Sequence, residues 1–167
     1  AGRNDATILP NYRRVIFDEA HNIEEVATRH FGSTASRHVF LRTLNMLFRQ
    51  GQNNSGALAQ LSTHLVRNKG GCGPKETEEI DELLSRIETV IGEKLPLVRF
   101  TVQDGFEALA DELTKMADET GRTVQYRITP ARRKGETWRV VSAILEEIRE
   151  KTLELARDIG DITTRVR

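Results

Sequence analysis

Cysteine is almost missing from this chain: Cys72 is alone among 167 residues. One thiol excludes an intramolecular disulfide framework, a four-thiolate zinc site and a self-contained iron–sulfur cluster. It also fits a reducing, cytosolic setting. Net charge is missing too, since 25 Lys+Arg stand against 25 Asp+Glu. That balance disfavours both a uniformly basic nucleic-acid sleeve and an acidic tail. No uninterrupted apolar run approaches the roughly 18–20 residues of a membrane span, so no membrane contact is expected. With 38% hydrophobic residues the chain is still too apolar for disorder, and its length suits one domain with a real core. It opens on Ala1-Gly2-Arg3 with no initiator Met or signal segment, and it closes on Arg165-Val166-Arg167 without Gly or Pro. Both ends read as cuts, so we expect a piece of a larger protein.

What is present is mostly helical periodicity. One early segment departs from it: Arg14-Val15-Ile16-Phe17 is a short β-branched and aromatic run ending in Asp18-Glu19, the pattern of a strand buried on both faces. After it, Ile23, Val26, Ala27, His30 and Phe31 mark one helix face, with Asn22 as N-cap and Gly32 at C′. Ser36 is placed to cap a second helix with the stripe Phe40, Leu44, Leu47 and Phe48. Gly51 to Gly56 is a loop, Leu58, Leu61 and Leu65 mark a short third helix, and Pro74 suits the first turn of a fourth.

The longest pattern runs from Ile80 to Met116, ten apolar steps over 36 residues. Its mean step of 3.6 is that of a straight α-helix rather than of a supercoiled heptad. Gly92 and Pro96 interrupt it, which predicts a kink or break near Lys94-Leu95: one long bent helix or two coaxial ones. Arg122 to Ile128 alternates polar and apolar residues, the pattern of a short extended arm. A last helix from Thr137 carries Val141, Ile144, Ile148, Leu155, Ile159 and Ile162.

Chemistry concentrates in Val15-Ile16-Phe17-Asp18-Glu19-Ala20-His21. An apolar strand delivering two carboxylates at its C-terminal edge has the physics of a Walker B element. Asp18 is placed to hold Mg²⁺ on nucleotide phosphates, Glu19 to orient and polarise the attacking water, and His21 to sense the γ-phosphate. The bland reading is a strand ending in polar residues, with Glu24 and Glu25 favouring a helix N-terminus. Asp-Glu-Ala-His in that order arises by chance about once in a thousand chains of this size, which favours the functional reading.

The run Val15 to Ala27 resembles motif II of superfamily 2 helicases. The continuation His21-Asn22-Ile23, the later Arg29-His30-Phe31-Gly32 and the leading Ile8-Leu9-Pro10-Asn11-Tyr12-Arg13 are similar to DinG/XPD-type DNA helicases, over about the first 35 residues. The resemblance implies an ATP- and Mg²⁺-dependent motor that moves 5′ to 3′ on single-stranded DNA, with Asp18 on Mg²⁺, Glu19 on the water and His21 coupling ATP to DNA. It also implies that a helical Arch domain follows motif II, with the rest of the motor as partner. An iron–sulfur cluster would belong elsewhere in the longer protein, in a bacterial, nucleoid-associated cytoplasmic setting. Departures are plain. Gly-Lys-Ser/Thr never occurs, and Pro74 spoils Gly70 to Lys75 as a phosphate cradle. This chain is therefore not expected to hydrolyse ATP alone.

A second candidate lies between Arg122 and Arg139, where six basic residues face one acid, Glu136, with Tyr126 and Trp138 nearby. Arg127, Arg132, Arg133 and Lys134 are candidate phosphate contacts for single-stranded DNA. A solvated face, or pairing with the acidic stretch Glu76 to Glu82, explains these charges almost as well. His30, His38 and His64 share no ligand spacing, and Trp138 alone is more often a core anchor.

The expected fold is mainly α: a helical bundle with long antiparallel helices, a short strand remnant of an α/β motor sheet and a short extended arm. Residues 1–21 would form the motor edge, and 22–167 the Arch-like domain. The competing reading is a helical protein-interaction scaffold in which Asp-Glu-Ala-His is coincidental.

Overall fold

The computed structural model describes residues 13–16, 18–115 and 128–166. By internal contacts the chain divides into two units, Ala1–Thr34 and Ala35–Arg167. The described part is mainly α-helical, and no strand occurs among the described residues.

In the first unit, Arg14, Val15 and Ile16 take no regular structure, which corrects the expected strand there. A strand closes its backbone hydrogen bonds only against a neighbour. None is present among the described residues, and Ile16 stands 97% exposed. Phe17 lies outside the described residues. A 3-10 turn, Ala20–Asn22, leads into α1, Ile23–Phe31. Asn22 does occupy the N-cap position, but its backbone is already helical and its side chain caps nothing. Gly32 ends α1 in extended backbone, not in the left-handed conformation. Glycine is required there by space, because a Cβ would sit 2.2 Å from the Thr28 carbonyl oxygen.

The second unit follows its sequence pattern closely. Helix α2, Arg37–Leu47, starts at Ser36, whose Oγ accepts the Val39 amide at 3.3 Å. A tight loop, pinned by paired Arg49 and Ser55 backbone bonds of 2.7 and 3.0 Å, turns into α3, Ala57–Asn68. Gly56 in that turn has φ 112°, and a Cβ there would lie 2.6 Å from the Leu47 carbonyl oxygen. Helix α4, Pro74–Thr89, begins with Pro74 in its first turn, and the Glu76 carboxylate accepts the Gly73 amide at 2.9 Å.

Between α4 and α5, Leu95–Thr114, the helix does not stop. Val90–Lys94 forms one π turn, in which the Leu95 amide donates to the Val90 carbonyl five residues back. Pro96 is the reason: it has no amide to offer Gly92, and its ring crowds that carbonyl. The irregularity expected near Lys94-Leu95 is thus absorbed as a widened turn, a known use of π segments. Met116 and residues 122–127, the greater part of the expected arm, lie outside the described residues.

Helix α6, Glu136–Arg165, runs antiparallel to α4 and α5. Arg165, at the end of α6, pairs with Glu82 at 3.1 Å in the middle of α4. Asp158 and Ile162 line one small cavity together with Val90 and Lys94 of the π turn. Farther along, the first half of α6 places Ile144 and Ile148 over Gly105 of α5. Later positions on one partner meet earlier positions on the other throughout. Val141, Ile148, Leu155 and Ile162, each seven residues apart, are the buried face of α6. Ile148, Leu155 and Ile162 close on Ile87, Val90, Leu95, Val98 and Val102, with Leu44 and Leu58 completing the core from α2 and α3.

Candidate functional site

The turn that carries Asp18 and Glu19 is built by local bonds. The Asp18 Oδ1 accepts the Glu19 amide at 3.0 Å, and the Glu19 carbonyl accepts the Asn22 amide at 2.9 Å. Between them Glu19 is held left-handed, φ 51° and ψ 46°, the one described non-glycine residue with positive φ. Such backbone costs an L-residue about 1–2 kcal/mol and is concentrated at functional turns. The Glu19 side chain reaches into the turn that follows. There the Glu19 Oε2 lies 3.1 Å from His21 Nδ1, with both side chains exposed.

Asp18 and Glu19 sit at the head of an open groove of about 640 Å³ that continues along Ile23, Val26, Ala27 and His30 to Phe31. A polar mouth of two carboxylates is therefore joined to an apolar helix face. On that helix Arg29 pairs with Glu25 at 2.9 Å, away from the carboxylates at the turn. The structure thus brings Glu19 and His21 together and keeps Asp18 beside them. For a metal, the donor set is sparse. Among the described residues no three His, Cys, Asp or Glu side chains converge. Asp18 suits Mg²⁺ in the way such ions are commonly held, by one carboxylate with substrate phosphates and waters completing the shell.

The basic candidates belong to the second unit. Arg132, Arg133 and Lys134 form an exposed 3-10 turn, in which Arg133 donates its amide to the Thr129 carbonyl at 3.1 Å. Arg127 lies outside the described residues. Trp138 is half-buried in the first turn of α6. Among the other residues weighed, Asn68 Nδ2 donates to His64 Nε2 at 2.8 Å, and the Cys72 thiol donates to the Asn68 carbonyl at 3.4 Å. His30 and His38 are exposed.

One feature escaped the reading of local motifs. From Val26 to Lys75 there are seven Lys and Arg and no Asp or Glu at all. A window of fifty residues finds it; the zero net charge of the whole chain hides it. Structurally, this stretch supplies one wall of a cleft between α2 and α5 that contains Arg49 and Arg99. No helix among the described residues is long and apolar enough to cross a membrane. No family model matches the chain, and neither a curated protein nor a solved structure matches it.

Proposed function

We propose that Val15 to Ala27 is motif II of a DinG/XPD-type DNA helicase, and that this chain is the motif II segment and the helical Arch-like part of such a motor. The observation that carries the reading is Asp18-Glu19-Ala20-His21 held in a bonded turn, with the Glu19 carboxylate 3.1 Å from His21. In the whole protein, Mg²⁺-ATP when bound supplies the phosphoanhydride whose cleavage drives movement along single-stranded DNA. Asp18 offers a hard carboxylate oxygen to the cation. Glu19 orients the attacking water and accepts its proton. His21 holds the Glu19 carboxylate and links it to the start of α1, so that a change at the phosphate reaches a helix. Walker A, the later motor motifs and any iron–sulfur ligands would come from other parts of the protein, which we place in the bacterial cytoplasm at the nucleoid.

The test is Glu19→Gln in the longer protein that carries a Walker A segment. Removing the base is expected to lower ATP turnover by about 10²-fold or more, while nucleotide binding stays within about twofold. Turnover equal to that of the parent protein overturns the assignment.

A further inference from the structure

One side-chain atom of the second unit is out of place. Asp158 Oδ2 is sealed from water and has no hydrogen-bond partner, the one buried side-chain oxygen or nitrogen so left among the described residues. Such an atom is expensive, and it calls for a water, an ion or a ligand beside it. Asp158 borders a cavity of about 150 Å³ whose other walls include Ser85, Arg86 and Thr89 of α4 and Lys94 of the π turn. That π turn is the one of its kind among the described residues, and π turns are frequent at functional sites. The half-buried Lys94 and the exposed Arg86 share the cavity with the carboxylate, yet neither forms an ion pair with it. The unpartnered acceptor, the two unpaired cations and the widened turn thus converge on one small space.

The charges define the occupant. Two cations against one carboxylate leave the walls net positive, which favours an anion with oxygens for Lys94 and Arg86. Asp158 is an acceptor, so that anion must also carry a proton to donate. A single water is too small an answer, since it needs only about 10–15 Å³ of such space. The carboxylate turns about χ2, a soft torsion, so either of its oxygens can be brought to the occupant. Thr89 Oγ1 already donates to the Ser85 carbonyl at 3.0 Å and is left as a second acceptor, while the Ser85 hydroxyl can donate. Sulfate and the phosphodiesters of nucleic acid hold no proton near neutral pH, and the carboxylate repels them. We propose that the cavity at the π turn binds a small proton-bearing oxyanion, hydrogen phosphate or bicarbonate. Lys94 and Arg86 hold its charged oxygens, and Asp158 accepts its hydroxyl. The bound ion ties α4, the π turn and α6 to one another. The cavity lies wholly within the second unit and uses nothing of the Asp18 turn, so the outcome at Glu19 does not decide it.

The experiment is isothermal titration calorimetry of the 167-residue chain with inorganic phosphate, bicarbonate and sulfate, near neutral pH and at constant ionic strength. The stronger of phosphate and bicarbonate identifies the ion, and it is expected to bind about tenfold or more tightly than sulfate, the worth of one hydrogen bond to a charged group. Lys94→Gln is expected to weaken binding about tenfold. Asp158→Asn puts an amide donor where the acceptor stood, so sulfate gains and the preference for the protonated ion disappears. A merely structural role for Asp158 would not move that preference. Circular dichroism verifies that each variant keeps its helices, and Arg86→Gln replaces Lys94→Gln if the latter does not fold. Silence with both phosphate and bicarbonate overturns the proposal, and so does sulfate that binds the parent chain equally well. Unchanged affinity in the cation variant, or an unchanged preference in Asp158→Asn, overturns it too, as does oligothymidylate that displaces the ion.

Discussion

The first unit holds the candidate Asp18–His21 turn and buries none of its helix; the second holds the core. In α1, Ile23 and Val26 are 42% and 49% exposed, while in α4 and α5 Ile87 and Val102 are fully enclosed. The contrast separates two kinds of information in one sequence. A motif such as Asp18-Glu19-Ala20-His21 needs four residues and a turn, which short-range bonds can hold. A core needs apolar residues repeated over many turns, and its stability is a property of helices packed together rather than of any one of them.

Gly105 is the sharpest place to break the second unit. It lies at the crossing of α5 and α6, where a Cβ would stand 2.7 Å from Ile148 Cδ1 and 3.3 Å from Ile144 Cγ2. Gly105→Leu is therefore expected to destabilise the second unit by about 3 kcal/mol through overpacking, despite the better helix propensity of leucine. Denaturant unfolding followed by circular dichroism measures it. A loss below about 1 kcal/mol would mean that the two helices do not meet at this residue.

This glycine also marks a limit of reading from sequence. The stripe from Ile80 onward revealed the helix, and Gly92 with Pro96 revealed the irregularity within it, because both follow from chain-local chemistry. Ser36 and Pro74 were legible for the same reason, as end signals of α2 and α4. Gly105 had no local signal, since its role depends on Ile148, 43 residues away in sequence. The run Arg14 to Phe17 failed in the opposite direction: its composition favours a strand, yet Arg14 to Ile16 form none, because pairing is decided by neighbours and not by propensity. At the candidate sites the Asp18 turn was legible as a motif, while its left-handed Glu19 was not. The cavity at the π turn was invisible to motif reading, because Lys94 and Asp158 are brought together only by packing.

A smaller effect is expected at the start of α2. Ser36→Ala removes the hydroxyl that accepts the Val39 amide and leaves one of the first-turn donors to water. The cost should be about 1 kcal/mol, and Ser36→Asp should restore most of it. Both are read from the same unfolding curves. If Ser36→Ala changed nothing, α2 would owe its start to the packing of Phe40 and Leu44 alone, and the second unit would be even less dependent on local signals than its sequence suggests.

The smallest expected effect is the most direct test of the opening contrast. Val26 lies in the middle of the apolar face of α1, and a substitution there would cost several kcal/mol if that face were part of a core. Being half-exposed, Val26→Ser should shift the stability of the chain by no more than about 0.5 kcal/mol. Thermal unfolding of the two proteins side by side gives the answer. A loss above about 2 kcal/mol would show that the α1 face is enclosed in solution, and the first unit would then be held by burial as the second is. A null result leaves the Asp18–Glu19–His21 turn supported by its own hydrogen bonds, with the groove along Ile23, Val26 and Phe31 open.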